Sequence, residues 1–265
     1  PCKRLEIDEL WAFVGKKQKR VTEEDDALAL GDQYTYLGID RNRKLIVSFV
    51  TGKRDDPATQ EFVLDLRARI LNRPQVTTDG FIPYVEAIEL AFGSAVDYAQ
   101  LIKDYESDPG ARKAQHRYSP GKITSIEKRT IMGQPDADRI CTSHAERLNL
   151  TVRMSQRRFT RLTNAFSKKL RNHRASVALF VAHYNFCRVH ETLRMTPAMA
   201  CGLTDHIWSI AELLARAFAA PPVPPAMPEP LDDGPPPLSR AAIGGAVQQY
   251  RPGRPTLRVV RGGLA

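Results

Sequence analysis

The chain has 265 residues, 42% of them apolar, enough for one large domain or two small ones around a filled core. With 39 Lys and Arg against 30 Asp and Glu, the formal charge is +9, which points to an acidic partner and carries no information about fold. Four cysteines without a CxxC pair exclude a disulfide framework, and no apolar run approaches 18 residues, so we expect free thiols, a reducing cytoplasm, and neither secretion nor membrane insertion.

Residues 3–14, KRLEIDELWAFV, read as a strand with Asp8 inside it. Residues 15–32 follow as a polar loop, basic first (Lys16, Lys17, Lys19, Arg20) and then acidic (Glu23, Glu24, Asp25, Asp26). Two β-rich runs, 34–40 and 44–52, flank the turn Arg41-Asn42-Arg43 and form a hairpin. Asp56-Pro57-Ala58-Thr59 opens a helix through Asn72 with Phe62, Leu66, Ile70 and Leu71 inward. A short strand over 76–80 ends in Asp79, a helix over 84–92 stops at Gly93, and 96–105 is a further strand. Residues 106–139 read as one long polar connection, and the pattern is helical from 142 to 208, broken at Thr196-Pro197, with a last helix to about 218. From 219 to 265 the chain is Pro-rich, then basic, and predicts a disordered tail; its Arg251-Pro252-Gly253-Arg254-Pro255 is a short match to a minor-groove hook. Three strands, helix, strand, helix, strand, long loop and helices predict an α/β fold over 1–218: a ribonuclease-H-like mixed sheet flanked by helices, with a C-terminal helical extension.

The chemistry concentrates between Thr142 and Arg174. Glu146 heads a long basic helix or helix pair, and from Arg147 to His190 there is no other acid against ten Lys and Arg. Phe159, Leu162, Phe166 and Leu170 recur at helical spacing as an apolar face; Arg153, Arg157 and Arg161 recur at four as a cationic stripe. Acids do not alternate with these bases, so ion pairs along a helix cannot neutralise them, and a nucleic acid can.

Asp8, Asp79 and Glu146 are remote in sequence, yet a strand, a later strand end and a later helix converge in a ribonuclease-H-like sheet. Three carboxylates with no lysine supplied between them repel one another, which two Mg²⁺ ions roughly 3.5–4 Å apart would resolve. Each acid also fits a plainer use. Asp79 before Gly80 suits a turn, and Glu146 suits a helix N-terminus, whereas Asp8 lies in an apolar strand where an unpaired charge is costly. His183, Cys187, His190, Cys201 and His206 have no zinc-finger spacing, and His144 is offset from the Glu146 face, as a surface or capping residue would be.

The segments IDELWAFVGKK, TTDG, HAERLNLTVRMSQRRFTRLTNAFSKK and HYNFCRVHETLRMTPAMACGLTDHIW closely resemble transposases of the insertion-sequence-one type, members of the DDE group, over about residues 3–215. The resemblance implies Asp8, Asp79 and Glu146 as the catalytic and metal-binding triad, Mg²⁺ with Mn²⁺ as a substitute, and DNA cleavage followed by strand transfer. It implies transposon ends and target DNA as partners, a homo-oligomer on DNA, and a place beside the nucleoid of a prokaryotic cytoplasm. Arg153, Arg157, Arg158, Arg161, Lys168, Lys169 and Arg171 are then the candidate phosphate contacts. Asn149, Tyr184, Asn185, Arg188 and His190 are candidate support for the active site, the last four matching the group's YN-x-x-R-x-H pattern. The family's zinc-finger and helix-turn-helix module would precede the first acid and is not in this chain. Two alternatives stay open: a nuclease of the same fold, which cuts without joining, and a DNA-binding remnant or repressor without catalysis.

Overall fold

The computed structural model describes residues 1–105, 122–160 and 163–219. At its centre is an open, mixed six-stranded sheet in the order β3-β2-β1-β4-β5-β6. β1 (Arg4–Val14), β2 (Gly31–Asp40) and β3 (Ile46–Gly52) form an antiparallel meander. β4 (Gln75–Thr78) and β5 (Asp97–Tyr105) run parallel to β1, and β6 (Ile123–Met132) returns antiparallel to β5. Parallel neighbours cannot be joined by a tight turn. The connections are therefore helical: α1 (Asp56–Arg69) joins β3 to β4, and α2 (Pro83–Phe92) joins β4 to β5. After β6 come α3 (Ser143–Ser155), α4 (Leu170–Phe186), the single turn α5 (Pro197–Ala200) and α6 (Ile210–Ala219).

Helices cover both faces of the sheet, and β1 shows how. Leu5 and Ile7 pack with Phe62, Leu66, Tyr84 and Ile88 of α1 and α2, while Leu10 and Ala12 pack with Leu148, Val152, Val177 and Phe180 of α3 and α4. A strand buried on both sides reads as a nearly continuous apolar run, which is why β1 stands out in the sequence. The boundaries of α1 and α2 follow local chemistry. Asp55 caps α1 by accepting the Ala58 N–H at 3.0 Å, with Pro57 in the first turn, and Gly93 ends α2 at φ 52°.

Four expectations fail for physical reasons. α1 stops at Arg69, and extended backbone at Ile70 turns Leu71 out to 78% exposure instead of inward. The connection expected over 106–139 contains β6, whose residues are mostly exposed; it is held by its backbone ladder to β5, so no burial pattern marks it. The helix through Glu146 ends at Ser155, because Gln156 turns aside to bond Ser176 of α4 (2.8 and 2.7 Å) and Phe159 drops into the core beside His173. After a 3-10 turn at Arg157–Phe159, the described residues 163–169 form no helix before α4. Likewise α4 ends at Phe186, well before Thr196-Pro197. Residues 106–121, Arg161, Leu162 and the tail from 220 onward, with its Arg-Pro motif, lie outside the described residues. Among those described, no helix is long and apolar enough to cross a membrane.

Candidate acidic site and basic surface

The site forms where β4 ends beside β1. The parallel ladder pairs Arg4 with Gln75, Leu5 with Val76 and Glu6 with Thr77, then stops. Extending that register by two residues sets Asp79 next to Asp8. Beyond Glu6, one edge of β1 has no strand beside it among the described residues until Val14 meets Ser167. Side chains from both faces can fold around an open edge. Oxygen atoms of Asp8, Glu9 and Asp79 accordingly lie within 4.8 Å of one another, although residues 8 and 9 start from opposite faces.

Each carboxylate is held by specific donors. Asp8 accepts the N–H of Glu9 at 2.8 Å and the side-chain amide of Asn149, from α3, at 2.8 Å. Burial raises the Asp8 carboxyl to about 7, the charges of Asp79 and Glu146 add to the rise, and the Glu9 N–H and Arg153 oppose it. Asp79 accepts the Phe81 N–H at 3.0 Å, so the turn role is real; its other oxygen lies 3.8 Å from Arg54. Glu9 is 3% exposed and takes the Arg54 guanidinium at 3.2 Å. Burial, with Asp79 beside it, still pushes the Glu9 carboxyl up to about 8. Arg54 stacks 3.9 Å above the Phe81 ring, which fixes it between the two acids.

Glu146 stands apart from this cluster. Its carboxylate accepts the Thr142 hydroxyl at 2.8 Å and pairs with Lys103 of β5, and it is 48% exposed. Its place on the first turn of α3 puts it three residues before Asn149, on one helix face, so it flanks Asp8 without touching it. A lysine is thus supplied after all, and so is an arginine: Lys103 and Arg54 neutralise part of the charge expected to stand bare.

α3 is itself docked by an acid from β1. Glu6, 2% exposed, accepts the N–H groups of His144 (2.7 Å) and Ala145 (3.1 Å), while the His144 ring lies 3.1 Å from its other oxygen. A carboxylate at a helix N-terminus meets orphan donors and the positive end of the dipole, so one strand aims the helix that contacts its own Asp8.

The donor set suits a hard divalent cation. All the grouped atoms are carboxylate oxygens, the buried Oδ1 of Asn149 has no partner among the described residues, and Asp8 and Asp79, only partly compensated by Arg153 and Arg54, favour a nearby cation. Ligand atoms within 4.8 Å of one another are near the ~4.2 Å that separates opposite ligands of one Mg²⁺, so small side-chain adjustments would let them hold a single ion.

The other candidates separate. Arg153 lies close enough to Asp8 to act on its charge. Arg157, Lys168, Lys169 and Arg171 are exposed; Arg158 is half-buried and bonds Ser167 at 3.3 Å; Arg161 is outside the described residues. Because α3 ends before Arg157, the cationic stripe expected at a spacing of four is not a helix face. Asn185 is structural, since it bonds both the N–H and the C=O of Ile46 at the start of β3 (3.0 and 2.9 Å). Tyr184 is buried with His190 edge-on at 5.0 Å and Arg188 at 5.8 Å from its ring, and among the described residues no hydrogen bond or ion pair links these three to the acids. Sequence reasoning missed Glu9, Arg54, Lys103 and Glu6. Alternation sends Glu9 away from Asp8, and only the open edge of β1 reunites them; the other three carry no local signal. No protein-family model matches the chain, and neither does any curated protein sequence.

Proposed function

We propose that the chain is the catalytic domain of a DDE-group transposase with a ribonuclease-H-like fold. The observation that carries this reading is the meeting of Asp8 and Asp79 where β1 and β4 part, with Asp8 bonded to Asn149 on the helix that bears Glu146. The meander followed by two parallel strands reached through helices supports the same reading.

In this function Asp8, Glu9 and Asp79 would hold Mg²⁺, or Mn²⁺ in its place, and Glu146, once released from Lys103, would complete the set. The cation, when present, lowers the pKa of a water or 3′-hydroxyl and stabilises the leaving oxygen. Asn149 keeps Asp8 aimed at the reacting phosphate, and Arg54 keeps Glu9 and Asp79 from splaying apart. Arg153, Arg157, Lys168, Lys169 and Arg171 bind backbone phosphates largely without reading sequence. Water oxygen bonds to phosphorus as the P–O3′ bond breaks and the 3′-oxygen gains a proton; that 3′-hydroxyl then bonds to a target phosphorus as the target's own P–O3′ bond breaks and the displaced oxygen takes up the proton. A homo-oligomer on DNA, in a prokaryotic cytoplasm, would bring two ends together.

Asp79→Ala tests the assignment. It should abolish Mg²⁺-dependent nicking of an end-bearing duplex and leave DNA affinity within about two-fold, since phosphate contacts lie elsewhere. Nicking that survives the change rules the metal assignment out. A second reading, DNA binding without catalysis, is favoured by one feature: Glu146 is tied to Lys103 and Thr142, outside the acid cluster. Its signature is salt-dependent DNA binding indifferent to divalent cations. Cleavage without strand joining would instead identify a nuclease.

A further inference from the structure

Beyond the acids, the same open edge of β1 runs into a second feature. Trp11 and Phe13 follow Glu9 along the strand with ring centroids 6.1 Å apart, and Phe166 closes on Phe13 at 4.6 Å. The segment carrying Phe166 is fastened to β1: Gly15, at φ 70°, donates its N–H to Ser167 at 2.8 Å, and Val14 bridges Ser167. Between them lies a cleft of about 470 Å³, within the range of small-ligand sites. Its rim is cationic. Lys17 and Arg20 are exposed and have no carboxylate partner among the described residues; Arg158 faces the cleft; Lys168 sits 3.3 Å above the Phe166 ring, while Lys16 is already paired with Asp25 at 2.7 Å.

Half-exposed aromatic rings inside a basic rim are what a single nucleic-acid strand uses: bases stack on the rings and phosphates meet the cations. A purely apolar partner would not need the rim, and duplex DNA would not reach the rings. We infer that this cleft takes unpaired bases of a DNA strand whose scissile phosphate lies at the acid cluster. The inference rests on the function proposed above and adds a subsite to it. From Asp8 to Trp11 and Phe13 the strand advances about 10 and 17 Å, which at ~3.4 Å per stacked nucleotide places the captured bases roughly three to five nucleotides from the reacting phosphate. The cleft therefore requires the DNA to be frayed there, and it holds the strand end while the chemistry proceeds.

The test reads binding, not cleavage. The chain has two tryptophans, and Trp208→Phe removes the one stacked on Phe186, leaving Trp11 as the reporter. In metal-free buffer, a short single-stranded thymidine oligonucleotide should quench Trp11 saturably and bind about ten-fold tighter than an abasic strand of equal length, as stacking one or two bases predicts. Phe166→Leu keeps apolar bulk and removes the ring that backs Phe13 and seats Lys168; it should weaken thymidine binding several-fold toward the abasic level and leave duplex binding unchanged. Equal affinity for thymidine and abasic strands, or an unaffected Phe166→Leu, overturns the inference. So does thymidine monophosphate binding as tightly as the oligonucleotide, which would make the cleft a mononucleotide site. Base-dependent quenching in a protein that never nicks would leave the cleft standing and sink the transposase reading; nicking without base-dependent quenching would do the reverse.

Discussion

The two ends of the open β1 edge meet opposite problems with one backbone. At the β4 end, three carboxylates crowd within 4.8 Å and depend on Arg54 and Asn149, with Lys103 on the flanking Glu146. At the far end, rings pack on rings, the cations are exposed, and the supports lie underneath: Ser167 Oγ bonds His173 Nδ1 at 2.8 Å, and Phe159 covers the His173 ring at 4.9 Å. The acid end crowds like charges that neighbouring donors hold together. The aromatic end instead rests on a buried histidine. Position along one strand, not a change of fold, separates the two.

Acid should break the aromatic end most severely. Burial, aided by the Arg158 charge, lowers the His173 pKa from 6.5 to about 4. The unfolded chain therefore takes up a proton that the folded chain refuses, so the stability from neutral His173 is complete above pH 6.5 and drains away as pH falls toward 4. The loss should reach about 3 kcal/mol. Melting temperatures of the native chain and His173→Gln between pH 7 and 4.5 check it: the variant should be less stable at pH 7 but flatter in acid. Equal slopes would remove His173 as the cause.

Next in size is the dock of α3. Glu6→Ala leaves the His144 and Ala145 N–H groups without their acceptor and should cost about 2 kcal/mol in denaturant unfolding. Amide exchange should speed up through the first turn of α3 and leave the cleft segment 163–168 unaffected. Exchange that rises equally at both would show that the two ends are not separable.

The smallest change has the opposite sign. Asp8→Asn removes one of the crowded charges; its new amide N–H meets an acceptor once the Asn149 amide turns to present its unpartnered Oδ1, so in metal-free buffer the variant should stabilise the fold by about 1 kcal/mol. In millimolar Mg²⁺ or Mn²⁺ the ranking should invert, because only the native chain gains from binding. A variant that is less stable in both conditions would mean that the acid cluster is structural.

What could be read in advance follows where the signal is local. β1 was legible because burial on both faces makes its apolar run continuous, and α1 and α2 because Asp55, Pro57 and Gly93 punctuate them. Asp8 and Asp79 were legible as acids in the places where such a sheet converges. β6 was not, since its pairing is backbone to backbone and leaves no side-chain pattern. The end of α3 was hidden because Gln156 and Phe159 obey α4 and the core rather than helical spacing. Glu9, Arg54 and Lys103 depend on where β4 stops, a property of three strands together. Asn185 was read as a site residue because its sequence neighbourhood matched a pattern, while its amide pairs with the Ile46 backbone like an extra rung of sheet.

The Glu6 bond to His144 spans 138 residues, and that separation sets a schedule. At roughly 5–20 residues per second, β1 leaves the ribosome on the order of ten seconds before the first turn of α3 exists to be bonded. For that interval Asp8 has been made but Asn149 has not, and Glu6 has no helix end to receive. Any chain interrupted before Ser143 carries the two strand acids with nothing to aim them. The assembled cluster thus certifies that translation has passed α3, and its contacts close only late in the chain's own synthesis.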